Sequence, residues 1–168
     1  MSDAKSIVEL IPRLRRYARA LVGDRVAADD LVQDTLERAW AKLHLYRRGT
    51  DLRAWLFTVM HNVFVNQRRA ARPTSPIDEA MPELAQDGRQ TDGLVLRDLD
   101  HAIRRLPPEQ REVLLLVALE DMSYEEAAAT LGIPIGTVMS RLARAREKLR
   151  AMLSGLPPGG GAQLKIVK

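Results

Sequence analysis

Apolar residues recur at helical spacing through most of the chain. Ile7 to Val22 reads as one amphipathic helix closed near Gly23. Asp29 and Asp30 place acids in the first turn of a second helix running to about Leu43, where they suit the helix macrodipole. Within it Val32, Leu36, Ala39 and Leu43 repeat at i, i+4, i+7 and i+11 and mark the expected buried stripe. Leu45 to Thr50 is a loop. A third helix begins at Asp51, carries Leu52, Leu56, Val59 and Val63 on its core side, and ends in Gln67 to Arg72 just before Pro73. Trp55, Phe57 and Phe64 in this helix read as core, although aromatics beside arginines can also stack on unpaired bases.

The pattern then stops. Residues 73–93 hold three prolines, two glycines and few apolar anchors, which reads as a linker longer than compact domains normally contain. Helical periodicity resumes from Leu94 to Leu106, is stopped by Pro107-Pro108, and continues from Glu109 to Leu119. Ser123-Tyr124-Glu125-Glu126 is a capping box, in which serine and glutamate each satisfy a free backbone N–H. It opens a short helix to Leu131; Gly132-Ile133-Pro134 makes a sharp turn, and a last helix runs from about Ile135 to Leu153. A short helix, a tight glycine turn and a longer helix form a helix-turn-helix unit. The expected fold is all-α: two small helical domains at 1–72 and 94–153, joined by a flexible linker at 73–93 and followed by a flexible tail at 154–168.

Composition agrees with helices and adds a boundary. Hydrophobic residues make up 46% of the chain, enough to build cores, so a disordered chain is excluded. With no cysteine, disulfides and thiolate metal sites are excluded, as suits a reducing cytoplasm. The chain lacks both a signal-peptide pattern and an apolar run of the roughly 18–20 residues that a membrane span needs. A cytoplasmic protein without membrane insertion is expected.

Charge changes the picture more. The net charge is +4, but residues 1–72 hold 14 basic and 8 acidic residues, whereas 73–93 hold one and five. Residues 137–150 hold five basic residues and one acid, against four and eight in 94–126. Positive charge therefore concentrates on the helix that a helix-turn-helix places in the DNA major groove. Val138, Leu142, Ala145 and Leu149 form that helix's core stripe. Thr137, Arg141, Arg144 and Lys148 repeat the same spacing one residue earlier, with Ser140 nearby. Arginine can bind guanine bidentately, and hydroxyls suit phosphates or base edges. A solvated cationic face on a bundle helix has the same pattern; the capped helix and glycine turn upstream favour DNA.

Other charged surfaces admit bland readings too. Asp30, Gln33, Asp34 and Glu37 share one side of the second helix, and taken alone this is a solvated face. Arg68, Arg69 and Arg72 could simply match the helix macrodipole. Catalysis finds little support: His44, His61 and His101 are scattered without metal-ligand spacing, and no phosphate loop or nucleophile motif occurs. Neither an enzyme nor a cofactor is expected.

These residues together resemble a known family. Asp29 to Thr35 (DDLVQDT), Arg53 to Phe57 (RAWLF) and Asn62 are similar to region 2 of extracytoplasmic-function (ECF, group IV) RNA polymerase sigma factors. Leu106 to Val113 (LPPEQREV), Ser123 to Ala128 (SYEEAA) and Gly136 to Arg146 (GTVMSRLARAR) are similar to region 4. The resemblance covers roughly residues 8–153, in order. It implies that the Asp30/Gln33/Asp34/Glu37 face docks on the β′ clamp helices of core RNA polymerase, with the β flap as a further contact. It implies that the 45–50 loop and the following helix, with Asn62, read the −10 element as it melts, while Arg47, Arg48, Arg68 and Arg69 hold the strand backbone. Thr137, Ser140, Arg141, Arg144 and Lys148 would read the −35 element. The acidic linker would mimic nucleic acid near the RNA exit path. The resemblance also implies an anti-sigma factor as partner, a stress or envelope response, and no metal or nucleotide, since polymerase supplies the chemistry.

Two other readings share part of this evidence. A helix-turn-helix regulator of the two-component output type would have the C-terminal motif but no use for the DDLVQD face. A sigma-like decoy that binds an anti-sigma factor would have both domains, and for it Arg141 and Arg144 have no evident purpose.

Overall fold

A computed structural model describes residues 2–71 and 91–154 as helices joined by short turns. The order is α1 (Ser2–Val22), α2 (Arg25–Ala41), a 3-10 turn (Leu43–Leu45), α3 (Leu52–Ala71), α4 (Thr91–Arg104), α5 (Pro108–Ala118), α6 (Tyr124–Leu131) and α7 (Ile135–Ser154). Among the described residues there is no strand, and no helix is long and apolar enough to cross a membrane. The proposed linker lies outside the described residues except for its last three, which open α4. The proposed tail lies outside them beyond Ser154.

Local chemistry explains the boundaries. Gly23 sits at φ +86 and ends α1, while its N–H bonds Arg19 O. Asp24 then caps α2, its carboxylate accepting from Ala27 N at 2.9 Å. The second helix therefore starts four residues earlier than the acids at 29 and 30 suggested. The one acid next to the glycine is the cap, and Asp29 and Asp30 fall in the second turn. The capping box forms as read: Ser123 Oγ accepts from Glu126 N at 3.0 Å, and Ser123 N donates to Glu126 Oε1 at 2.9 Å. Gly132 takes the left-handed conformation (φ 68, ψ 38) that closes α6, and Ile133 N bonds back to Ala128 O.

Packing follows the apolar stripes. α1 contributes Ile7, Leu14, Tyr17, Ala18 and Leu21; α2 adds Ala28, Leu31, Val32 and Ala39; α3 adds Leu56, Phe57, Val59, Met60, Val63 and Phe64. The α2 stripe is wider than the sequence spacing suggested, and Leu36 and Leu43 are only partly buried at its edge. In the second unit α4 and α5 pack with α6 on α7, around Leu116, Ala127, Val138, Leu142 and Ala145. Each large aliphatic side chain buried this way contributes about 1.5–3 kcal/mol.

The two units do not stand apart. α1 packs on α4 and α5, α3 packs on α6, and a single apolar cluster runs through both units. Periodicity within a helix cannot reveal this, because the contact is made by residues of mixed polarity. Arg111 of α5 is one of them. Its guanidinium donates to Leu21 O at 2.6 Å, Leu106 O at 2.7 Å, Arg104 O at 3.0 Å and Ile103 O at 3.2 Å. One side chain thus satisfies free carbonyls at the ends of α1 and α4. Burial, with Arg68 and Arg104 nearby, pulls its pKa below the usual arginine value.

Candidate nucleic-acid interface

α7 carries the densest group. Val138, Leu142 and Ala145 are buried against α5 and α6, which turns the neighbouring positions outward. Ser140, Arg144 and Lys148 are exposed, and Thr137 and Arg141 are half-buried beside the stripe. The helix also shows Ile135 and Met139 to solvent, at 40% and 48% exposure. Flanked by arginines, this face can make phosphate, base-edge and thymine-methyl contacts in a major groove.

The proposed −10 set is divided. Tyr46 to Thr50 is a turn bonded to itself: Tyr46 Oη donates to Thr50 O at 2.6 Å, Thr50 Oγ1 donates to Arg47 O at 2.8 Å, and Gly49 takes φ +94. Arg47 and Arg48 project from it, and Arg48 reaches Asp3 of α1 at 3.4 Å. On α3, helical spacing puts Asn62 and Arg69 on one face together with Asn66 and Trp55. Arg68 stands on another side, over the Phe64 ring at 5.8 Å and toward Arg111. Along α3, Arg53 and Arg69 are separated by about 24 Å at 1.5 Å per residue and lie on nearly opposite sides of the helix, with Arg53 turned to Glu120, so these cations are spread around α3 instead of closing a pocket.

Tyr46 and Trp55 form a tilted ring pair, centroids 5.3 Å apart, at the loop end of the Asn62 face. Phe57 and Phe64 are buried as expected. Trp55 packs against the core but is only half-buried, so it keeps an aromatic edge open to solvent. Its position on the Asn62 face was the available signal.

The acidic face of α2 is intact. Asp30, Gln33, Asp34 and Glu37 are all exposed, and Asp34 accepts from Gln67 Nε2 of α3 at 2.8 Å. Trp40, 46% exposed, lies with Gln33 and Glu37 on a groove between α1 and α2 whose other wall holds Arg15 and Arg19. Tryptophan is enriched among the residues that dominate protein interfaces, and Trp40 stands outside the set that the sequence pattern singles out.

Known proteins resemble this chain in sequence and in fold. Residues 7–61 match the model for the Sigma2 domain of PhyR, and residues 96–149 match Sigma-70, region 4. The chain is 41% identical over 149 residues to the ECF RNA polymerase sigma factor EcfG of Rhodopseudomonas palustris, covering 88% of this chain and 82% of the relative. It is 35% identical over 148 residues to the ECF RNA polymerase sigma factor SigL of Mycobacterium tuberculosis, covering 85% and 84%. Among solved structures, the sigma factor RpoE in complex with the anti-sigma factor NepR from Bartonella quintana aligns with a TM-score of 0.76 at 36% identity, covering 94% of this chain and 100% of that one. CnrH in complex with the cytosolic domain of CnrY aligns at 0.68 and 29% identity, covering 92% and 88%. The anti-anti-sigma factor PhyR of Bartonella quintana, at 19% identity and a TM-score of 0.61, shares the fold. With both regions matched in order and more than four-fifths of a 41%-identical relative covered, the chain belongs to the ECF RNA polymerase sigma factors.

Proposed function

We propose that this sigma factor uses the exposed α2 face, Asp30, Gln33, Asp34 and Glu37, to dock on the β′ clamp helices of core RNA polymerase, with its second unit at the β flap. The loop holding Arg47 and Arg48, with Asn62, Arg68 and Arg69, holds the melting −10 element, and Thr137, Ser140, Arg141, Arg144 and Lys148 read the −35 element. Polymerase supplies the phosphoryl-transfer chemistry; this chain supplies position and sequence choice. RpoE is solved in complex with the anti-sigma factor NepR, and CnrH with the cytosolic domain of CnrY; this chain, likewise, takes an anti-sigma partner in the cytoplasm, under stress or envelope control.

The observation that carries the reading is one chain holding two separate exposed surfaces, an acidic one on α2 and a cationic one on α7. A DNA-binding regulator needs only the second. A decoy for an anti-sigma factor needs no outward arginines on α7, and the chain is 41% identical to EcfG but 19% to 25% to the PhyR proteins of solved structure. The test is promoter-dependent transcription by core polymerase with the chain added. Asp30→Arg should weaken core binding far more than DNA binding. Failure of the wild-type chain to bind core polymerase removes the reading.

A further inference from the structure

Glu120 closes α5 and belongs to the second unit, yet its partners belong to the first. Its side chain is fully buried, with Arg13 Nε at 3.1 Å, Arg16 Nη2 at 3.7 Å and Arg53 Nη1 at 3.9 Å from the carboxylate. Arg53 also donates to Glu120 O at 2.7 Å. Three guanidiniums from α1 and α3 thus converge on one anion that comes from outside their own unit. Burial pushes the Glu120 carboxyl above its usual range against the pull of the arginines, and Oε2 has no hydrogen bond. The carboxylate fills the site without satisfying it.

The closed arrangement is at odds with reading two promoter elements. Positions 25 base pairs apart lie about 85 Å apart on straight B-form DNA. A packed body of this size has a radius of gyration of roughly 14 Å and cannot reach both. The units must separate, and separation withdraws Glu120 and leaves three uncompensated cations. Arg53 lies three residues after Thr50, at the loop assigned above to the −10 element. A phosphodiester carries one negative charge and accepts paired guanidinium donors as a carboxylate does.

We propose that Arg13, Arg16 and Arg53 form a binding site for a backbone phosphate of the −10 strand, and that Glu120 occupies this site in the closed chain as an internal stand-in for that phosphate. The proposal rests on the promoter reading given above. Glu120 therefore couples closure to DNA exclusion: the same three cations cannot hold both anions.

The test uses a labelled single-stranded 12-mer of mixed sequence, with the full chain alone and with its complex with core polymerase. Glu120→Gln, which keeps the side-chain shape, should tighten binding by the free chain about 5–10-fold. It should also steepen the dependence of log K on log salt by about 0.7, the value for one phosphate on a single strand. Arg16→Ala, at a side chain 56% exposed, should weaken binding in the complex and reduce that slope. The sign discriminates, because a cluster serving only as a latch predicts that Arg16→Ala frees the units and leaves binding unchanged or stronger. That result overturns the site, as does an unchanged affinity in Glu120→Gln when scattering shows the units separated. If the wild-type chain binds core polymerase and these variants fail, the phosphate site alone is wrong; if the wild type does not bind core, the promoter reading falls first.

Discussion

His61 Nδ1 of α3 lies 2.7 Å from the Glu112 carboxylate of α5, joining the two units through an acid that is only 5% exposed. Removing the imidazole strands that carboxylate. His61→Ala should cost about 1–3 kcal/mol of stability, the usual penalty for a buried acceptor left without its partner. Glu112→Gln, which can still bond the ring, should cost less. Denaturant unfolding of both variants measures the difference.

Arg111 binds four carbonyls with one rigid fork, and lysine cannot copy that geometry. Arg111→Lys keeps the charge but leaves helix-end carbonyls unpaired. A loss of about 1–3 kcal/mol is expected. Amide exchange should speed up at the ends of α1 and α4 before elsewhere. Equal protection there in the variant would contradict this account.

Tyr17 packs edge-on to Phe57, ring centroids 5.0 Å apart. Burial, with Glu112 and Glu120 nearby, raises its phenol pKa well above the usual value. The unfolded chain ionises this phenol near pH 10, while the folded chain keeps the proton. The folded state therefore binds more protons, so stability from this group is complete below pH 10 and is lost as pH rises further. The denaturation midpoint should fall above pH 10, and the fall should be smaller in Tyr17→Phe.

On α7 the two kinds of DNA contact separate by their salt behaviour. Arg141→Ala should cost about 1–3 kcal/mol and relax preference at one base position of the −35 element. Lys148→Ala should weaken all sequences alike and reduce the salt slope by about 0.9. Binding selections on randomised −35 sequences at two salt concentrations distinguish them. A uniform loss for Arg141→Ala would make it a phosphate contact.

The chain's helices, caps and separate surfaces are written locally. The repeat of Val138, Leu142 and Ala145, the box at Ser123 and Glu126, and the turn at Gly132 depend on residues within a few positions of one another. Sequence alone therefore determines them, along with the outward acids of α2 and arginines of α7. The start of α2 is local as well: Asp24, next to the turn at Gly23, caps it through Ala27 N. Tertiary structure decided that the two units touch. That contact pairs Glu120 with arginines 107, 104 and 67 positions away, and His61 with Glu112 across 51. An acid that closes a helix carries no local sign of the cations that will surround it. Charge complementarity at long range becomes visible only when the chain has brought its faces together.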